Sequence, residues 1–392
     1  MPTLSNLIDN KQLLEFSQHF GVQRSYMGSR LFPDQKTQYI EQEYTRVCEN
    51  GNLPMIAKVH ALDTEAYIGS RVPFEKVSIE ELLIKEKINL SESVARLTRG
   101  MGMENDALRR YIFDDVARMS ERVVTRAELA KMDAISKGKY IITENDLNLS
   151  VDYGVPAENY VSSDWSDPSA DILGDIRKWR LIAISKGMAP TIAITSEAVL
   201  TNIMGNAGVQ KAIKGASGVG ILPTLDEINA LFGSQFGGLR VTTNDEKYGT
   251  MTTVGGKVKV NQNRFFPEDK FVMTAAGTDG TLGVGLWGVT PEELEHGGAF
   301  DTKREQQFVT CTTWDTPDPV ATWTKASGLF VPVLPNVYGH IIADVAHKKT
   351  VDEMDLDELK AYATKNSIDI TGKTTKAEIL EAIKAAMTSS EG

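Results

Sequence analysis

Residues 103–137 constrain the chain more than any other stretch. Leu108, Ile112, Val116, Met119, Val123, Ala127, Ala130 and Ala134 recur three or four residues apart, which lines them along one face of a helix. The opposite face carries Asp114 with Arg118, Glu128 with Lys131 and Asp133 with Lys137, spacings that let opposite charges pair on a wet surface. Gly138 follows Lys137 and supplies the left-handed residue that stops a helix. Roughly 35 residues at about 1.5 Å each make a rod of ~50 Å, several times the ordinary helix. The stripe drifts too far for the strict heptad of a coiled coil. Residues 139–143 and 147–153 read as strands directly after it. The predicted class is therefore α+β, with a long helix laid across a sheet.

With 392 residues the chain can bury two or three cores. Its net charge of -11 excludes a protein that coats nucleic acid, which needs an excess of Lys and Arg to displace counterions from phosphates. Cys48 and Cys311 are too few for a disulfide framework or a four-cysteine metal site, so a reducing compartment is expected. No apolar run approaches the ~20 residues that cross a bilayer, and residues 1–10 lack the basic and apolar regions of a signal peptide.

Along the chain, residues 1–54 read as an arm. A short amphipathic helix with Leu13, Leu14 and Phe16 precedes scattered aromatics, Phe20, Tyr26, Phe32, Tyr39 and Tyr44, in a pattern that suits docking onto another surface. Residues 55–98 read as a long two-stranded hairpin. One limb carries Ile56, Val59, Leu62 and Tyr67, the other Val77, Ile79, Leu82, Ile84, Ile88 and Leu90, with Gly69, Arg71 and Pro73 near the turn. Such a hairpin has no core of its own and needs a neighbour to lie on. Residues 154–300 read as a Gly-rich α/β unit. In it Asp167-Pro168 opens a helix that buries Ile172, Ile176, Trp179 and Ala183, Thr224 and Glu227 form a capping box, and Gly255-Gly256 turns a hairpin. Residues 308–345 supply closing strands. Residues 350–388 form a separate helix-extended-helix unit, with Leu356, Leu359 and Tyr362 on one helix and Ile379, Leu380 and Ile383 on the other.

Catalytic signatures are near misses. Gly283-Val284-Gly285-Leu286-Trp287-Gly288 matches the dinucleotide glycine spacing but lacks the long helix that must follow, so it reads as a Gly-rich loop. Gly372-Lys373-Thr374 lacks the first glycine of a phosphate-binding loop, and Gly215-Ala216-Ser217-Gly218 has Val219 where a nucleophile elbow needs glycine. His19, His60, His296, His340 and His347 have no metal-ligand spacing, and His340 lies in an apolar strand as a satisfied core or edge residue. No catalytic, cofactor or metal residue is assigned. A nucleotide-dependent enzyme using the Gly283 loop, and a DNA-binding protein acting through the last forty residues, stand as the alternatives.

The order of parts resembles the major capsid protein of tailed bacteriophages, in particular the lambda-type major capsid protein E family. The likeness rests on Arg109-Arg110-Tyr111-Ile112, the exit Lys137-Gly138-Lys139-Tyr140, the strand Val151-Asp152-Tyr153-Gly154, Trp165-Ser166 and the closing stretch 328–345. It implies a tailed-phage capsid fold: N-terminal arm 1–54, extended loop hairpin 55–98 lying over a neighbouring subunit, peripheral domain 99–153 and 301–346 with spine helix 103–137, and axial domain 154–300 meeting its copies at the capsomer centre. It further implies hexamers and pentamers in an icosahedral shell that encloses double-stranded DNA without sequence-specific binding. The implied place is the virion, after assembly in the bacterial host cytoplasm, with scaffolding, decoration or portal proteins as partners, no membrane and no enzymatic activity. Gly69, Arg71, Pro73, Phe74 and Lys76, at the hairpin turn, become the candidate intersubunit contacts. The terminal unit resembles small modules of the HeH, LEM and SAP kind. From Thr350 onward it holds five Lys against nine Asp and Glu, which suits a protein-contacting appendage rather than a DNA reader.

Overall fold

The computed structural model describes residues 25–38, 41–47, 74–80, 82–91, 105–144, 147–254, 257–277, 279–292, 308–317, 320–345, 356–365, 368, 370, 373 and 375–390. The arm before residue 25 and over 48–54, the hairpin segments 55–73 and 92–98, the Gly255-Gly256 turn and the tether 346–349 lie outside the described residues.

The long helix forms as its period demands. It runs Asn105–Lys137, and Val116, Met119, Val123, Ala127, Ala130 and Ala134 are all buried. Gly138 ends it at φ 64°, a conformation that costs a residue with a Cβ about 1–2 kcal/mol. The wet face is a correction. Asp133 and Lys137 do pair, at 2.8 Å, but Glu128, Lys131 and Asp133 are buried, as is every residue from Ala130 to Ser136. The reason is a partner about a hundred residues away. A short helix, Met27–Leu31, and a strand, Asp34–Lys36, lie over that face and bring their own polar groups to meet it. The arm's aromatics Tyr26 and Phe32 are buried in the same core, so this part of the arm docks onto its own chain.

Two sheets build the body. In the first, the strand Val320–Val333 is central. It pairs antiparallel with Leu82–Ser91 along one edge and with Thr310–Pro317 and Val284–Gly288 along the other. Asp34–Lys36 adds in parallel beside Val284–Gly288. The spine helix packs across one face, with Val116, Met119 and Val123 sharing a core with Ala326, Phe330 and Trp287. The second sheet runs Tyr160–Ser162, Ile341–Asp344, Lys270–Thr274, Ile192–Thr195, Arg240–Thr243, parallel at its two outer pairs and antiparallel between. Helices Ile172–Ser185, Glu197–Gly205, Ala207–Lys214 and Leu225–Gln235 accompany it, and its core holds Trp165, Trp179 and Phe271. The Thr224–Glu227 capping box is present. The helix expected to open at Asp167-Pro168 instead begins at Ile172, capped by Asp171, because Asp167 spends its carboxylate on the Ser169 N–H and hydroxyl.

Chain segments cross between the sheets. The strand Ile341–Asp344, expected with the closing strands of the first sheet, sits inside the second, while Val284–Gly288 belongs to the first. The hairpin also pairs differently from expectation. Phe74–Glu80 pairs with Glu41–Val47, ahead of residue 55, as a two-stranded ribbon. Leu82–Ser91 leaves it to join the first sheet, where its apolar residues Leu82, Ile84 and Ile88 find the spine-helix core. The terminal unit forms its own small core from Leu359, Ala363, Ile379 and Ile383 between helices Leu356–Lys365 and Lys376–Ser390.

Candidate assembly surfaces

Of the five contact candidates, Gly69, Arg71 and Pro73 lie outside the described residues. Phe74 and Lys76 sit on the ribbon strand, opposite Val47 and Thr45. Among the described residues the ribbon is a sheet of two strands. It is attached to the first sheet through residue 81, which separates Glu80 from Leu82. Its fourteen residues hold four Glu, Glu41, Glu43, Glu75 and Glu80, against Arg46 and Lys76.

Two polar junctions tie together the elements next to the ribbon in sequence, the strands Asp34–Lys36 and Leu82–Ser91. At the first, the Glu128 carboxylate accepts the Gly28 N–H at 2.7 Å, while its second oxygen has no hydrogen-bond partner among the described residues. Burial pushes this carboxyl up to about 7, against the opposing pull of the Gly28 hydrogen bond and the Lys131 charge. Beside it the Lys131 ammonium donates to Asp34 Oδ1 at 2.6 Å, and the same oxygen accepts the Trp287 indole N–H at 2.9 Å. The spine helix, the arm and the first sheet thus share one buried polar knot. At the second junction Glu292 accepts from Lys325, Lys85 (3.1 Å) and the Ser327 hydroxyl (2.9 Å). Burial alone would raise this carboxyl, but these donors outweigh it and hold it at about 2. The pair of edge and central strands is thereby pinned next to the ribbon.

Other surfaces expose apolar side chains. The loop after Ala207–Lys214 presents Val219, Ile221 and Leu222, each more than half exposed. The hairpin Lys247–Val254/Lys257–Arg264 presents Met251 and Val260 opposite one another. Large apolar residues in such clusters mark contact surfaces more often than isolated ones do.

The sites considered for chemistry resolve otherwise. The Gly283 motif is a strand and not a glycine loop. A Cβ on Gly283 would lie 1.9 Å from the Val333 carbonyl oxygen, so glycine serves close strand packing. Ser217 sits in a short 3-10 turn. His340 is fully buried with Nε2 2.7 Å from the Ile135 carbonyl, a packing role. The Cys311 thiol is pushed up to about 11 by burial. Lys373 is exposed in the terminal unit, its N–H bonded to the Ile370 carbonyl. Among the described residues no cluster of His, Cys, Asp or Glu could hold a metal, and no helix is long and apolar enough to cross a membrane.

A family model for phage major capsid protein E matches residues 11–345. No curated protein sequence matches the chain. Among solved structures, a prophage capsid protein from E. coli CFT073 is 16% identical with a TM-score of 0.55, over 86% of this chain and 99% of that one. A phage-related protein from Bordetella bronchiseptica RB50 is 11% identical with a TM-score of 0.48, over 86% and 97%. The virus-like particle from Pyrococcus furiosus is 11% identical with a TM-score of 0.41, over 86% and 98%. The first likeness shows a shared fold, and the looser two add nothing to it. With its arm, spine helix and both sheets inside the matched span, the chain belongs to the phage major capsid protein E family.

Proposed function

We propose that copies of this chain meet as hexamers and pentamers that close an icosahedral shell around double-stranded phage DNA, with the hairpin reaching over a neighbouring subunit. The chain is a structural capsid protein of the virion, and no enzyme, by its family. Beyond that, the reading assigns residues 1–54 to an arm, 55–98 to the extended loop, 99–153 with 301–346 to a peripheral domain, 154–300 to an axial domain and 350–388 to an appended unit. Within this division the ribbon pairs Glu41–Val47 with Phe74–Glu80, Val284–Gly288 lies in the first sheet and Ile341–Asp344 in the second.

The ribbon carries the reading. Two strands of seven residues with no third strand among the described residues are marginal in water, so a shell subunit that keeps them gains by laying them on a neighbour. Gly69, Arg71, Pro73, Phe74 and Lys76 are the contact candidates on this account. Scaffolding, decoration or portal proteins would be further partners, meeting the outer or inner surface. The acidic terminal unit argues against DNA reading by that module.

The test is the assembly state of the purified chain, by light scattering and negative-stain microscopy. Capsomers or closed shells are expected, and a stable monomer under all assembly conditions would overturn the reading.

A further inference from the structure

The first sheet is covered on one face by the spine helix, and its other face is exposed at the end that carries Leu83 and Trp314. Ile84, Ala326 and Phe330 belong to the core beneath the spine helix. The alternate residues point away from it. The register sets Lys85 opposite Ser327, Lys87 opposite Lys325, and Trp323 opposite Trp314. Leu83 and Trp314 are 45% and 37% exposed.

The open face is aromatic and cationic. Trp314 and Trp323 stack with centroids 6.4 Å apart and planes 13° apart. Lys87 Nζ lies 4.7 Å from the Trp323 ring centre and Lys325 Nζ 6.0 Å from that of Trp314. Lys85 and Lys325 share the single carboxylate of Glu292, and Lys87 has no acidic partner among the described residues. Three ammonium groups against one carboxylate stand on a chain of net charge -11. Cation–π contact holds the ammonium groups in place, and this preorganisation lowers the cost of binding a carboxylate. The same contact covers ring surface that a nucleic-acid base would need for stacking, so an acidic protein segment is favoured.

We propose that this face receives the acidic run at residues 352–358 of a neighbouring copy. The inference rests on the shell reading. Asp352, Glu353, Asp355, Asp357 and Glu358 make this the most acidic seven-residue stretch of the chain, with no base before Lys360. Met354 stands among them, and a thioether packs well against tryptophan. The run lies beyond residue 345, where the family match ends, so the family's own parts leave it without a role. Val345, from which the run departs, is packed in the core of the second sheet, whereas the face belongs to the first, and a shell of many copies brings such faces beside the terminal segments of neighbours.

The test is zero-length carbodiimide coupling of assembled full-length particles, which joins an ammonium to a carboxylate only in contact, read by peptide mass spectrometry. Particles are assembled from a mixture of isotopically heavy and light chains. Lys85 or Lys87 should link to the 352–358 run, with heavy–light pairs present. Trp314→Ala removes a ring but no reactive group and should cut that yield severalfold. Shells whose Lys87 links instead to ribbon acids Glu41, Glu43, Glu75 or Glu80, or to no acid, overturn the docking and leave the shell reading intact. Links confined to heavy–heavy and light–light pairs overturn its placement between copies. Submicromolar quenching of tryptophan fluorescence by an oligonucleotide, abolished in Trp314→Ala, would assign the face to nucleic acid instead. If the unmodified chain forms no shells, the shell reading fails, and the docking with it.

Discussion

The two sheets of this protein are finished to different degrees. The second is closed by its own chain: Trp165 stacks on Trp179 at 5.3 Å and packs against Phe271, with helices Ile172–Ser185 and Leu225–Gln235 supplying Ile176, Ile228 and Phe232 to the same core. The first sheet has a spine helix on one side, a tryptophan–lysine face on the other, and a strand that continues through residue 81 from a two-stranded ribbon. The difference teaches which surfaces fold the subunit and which remain for its copies. Burial on the closed side should govern stability, and changes on the open side should govern assembly.

The sharpest way to break that division is from the spine helix. Met119→Asp places a charge where no exposure remains, in the core shared with the first sheet. Loss of the packed side chain costs about 2–5 kcal/mol and the unpaired charge adds to it. Chemical denaturation should show a subunit that is unfolded or nearly so, and a near-native midpoint would show that the stripe faces no core.

The Glu128 junction gives the next effect, and it depends on pH. Its folded carboxyl is raised from 4.5 to about 7, so the folded state binds more protons than the unfolded state between those values. Stability therefore falls as pH rises from about 4.5 to 7 and stays reduced above. Glu128→Gln removes the charge but keeps an acceptor for Gly28. It should raise stability at pH 8 by about 2–3 kcal/mol relative to the parent and flatten the profile between pH 5 and 8. Unchanged slopes in urea titrations across that range would contradict the assignment. Glu292 acts in the opposite sense: its lowered carboxyl gives stability present above about 4.5 that is lost as pH falls toward 2.

Smaller still is the effect on exposed groups. Leu222→Asp, at 65% exposure in the loop after residue 214, should move subunit stability by less than about 0.5 kcal/mol while lowering assembly yield. Arg118→Ala, on the solvent side of the spine helix, should cost under about 1 kcal/mol. A large loss from either change would mean that the open surfaces also hold the subunit together.

What was legible in the sequence was local. The spine helix, its glycine stop, the following strand pair, the Thr224 capping box and the terminal helices all follow from spacing within about 35 residues. What was hidden came from partners far along the chain. Glu128 and Lys131 look like surface charges until Gly28 and Asp34 arrive from about a hundred residues upstream. The Gly283 motif reads as a loop because its glycines break propensity, yet Gly283 serves close packing against Val333 and Gly285 close packing against Asp34 and Phe330. The helices Glu197–Gly205 and Ala207–Lys214 escaped notice although Ser196 and Asn206 stand at their starts as capping residues. The tryptophan pair did leave a signal: Trp314 and Trp323 are placed almost symmetrically about Pro317 and Pro319, as cross-strand partners of a hairpin should be. Of the contact candidates, Phe74 and Lys76 have positions on the ribbon, where Phe74 lies opposite Val47 and Lys76 opposite Thr45.

The central claim, that the ribbon and the segment between its strands serve assembly and not folding, is tested most directly by replacing residues 41–80 with a short Gly/Ser linker. Circular dichroism and a denaturation midpoint report the subunit, and electron microscopy reports the shell. The account expects a folded subunit of near-native stability that forms no shells, since the removed segment carries Gly69, Arg71 and Pro73 and large obligate contacts of ~2,000 Å² or more would be cut. Shells of normal appearance and yield from the shortened chain would contradict it.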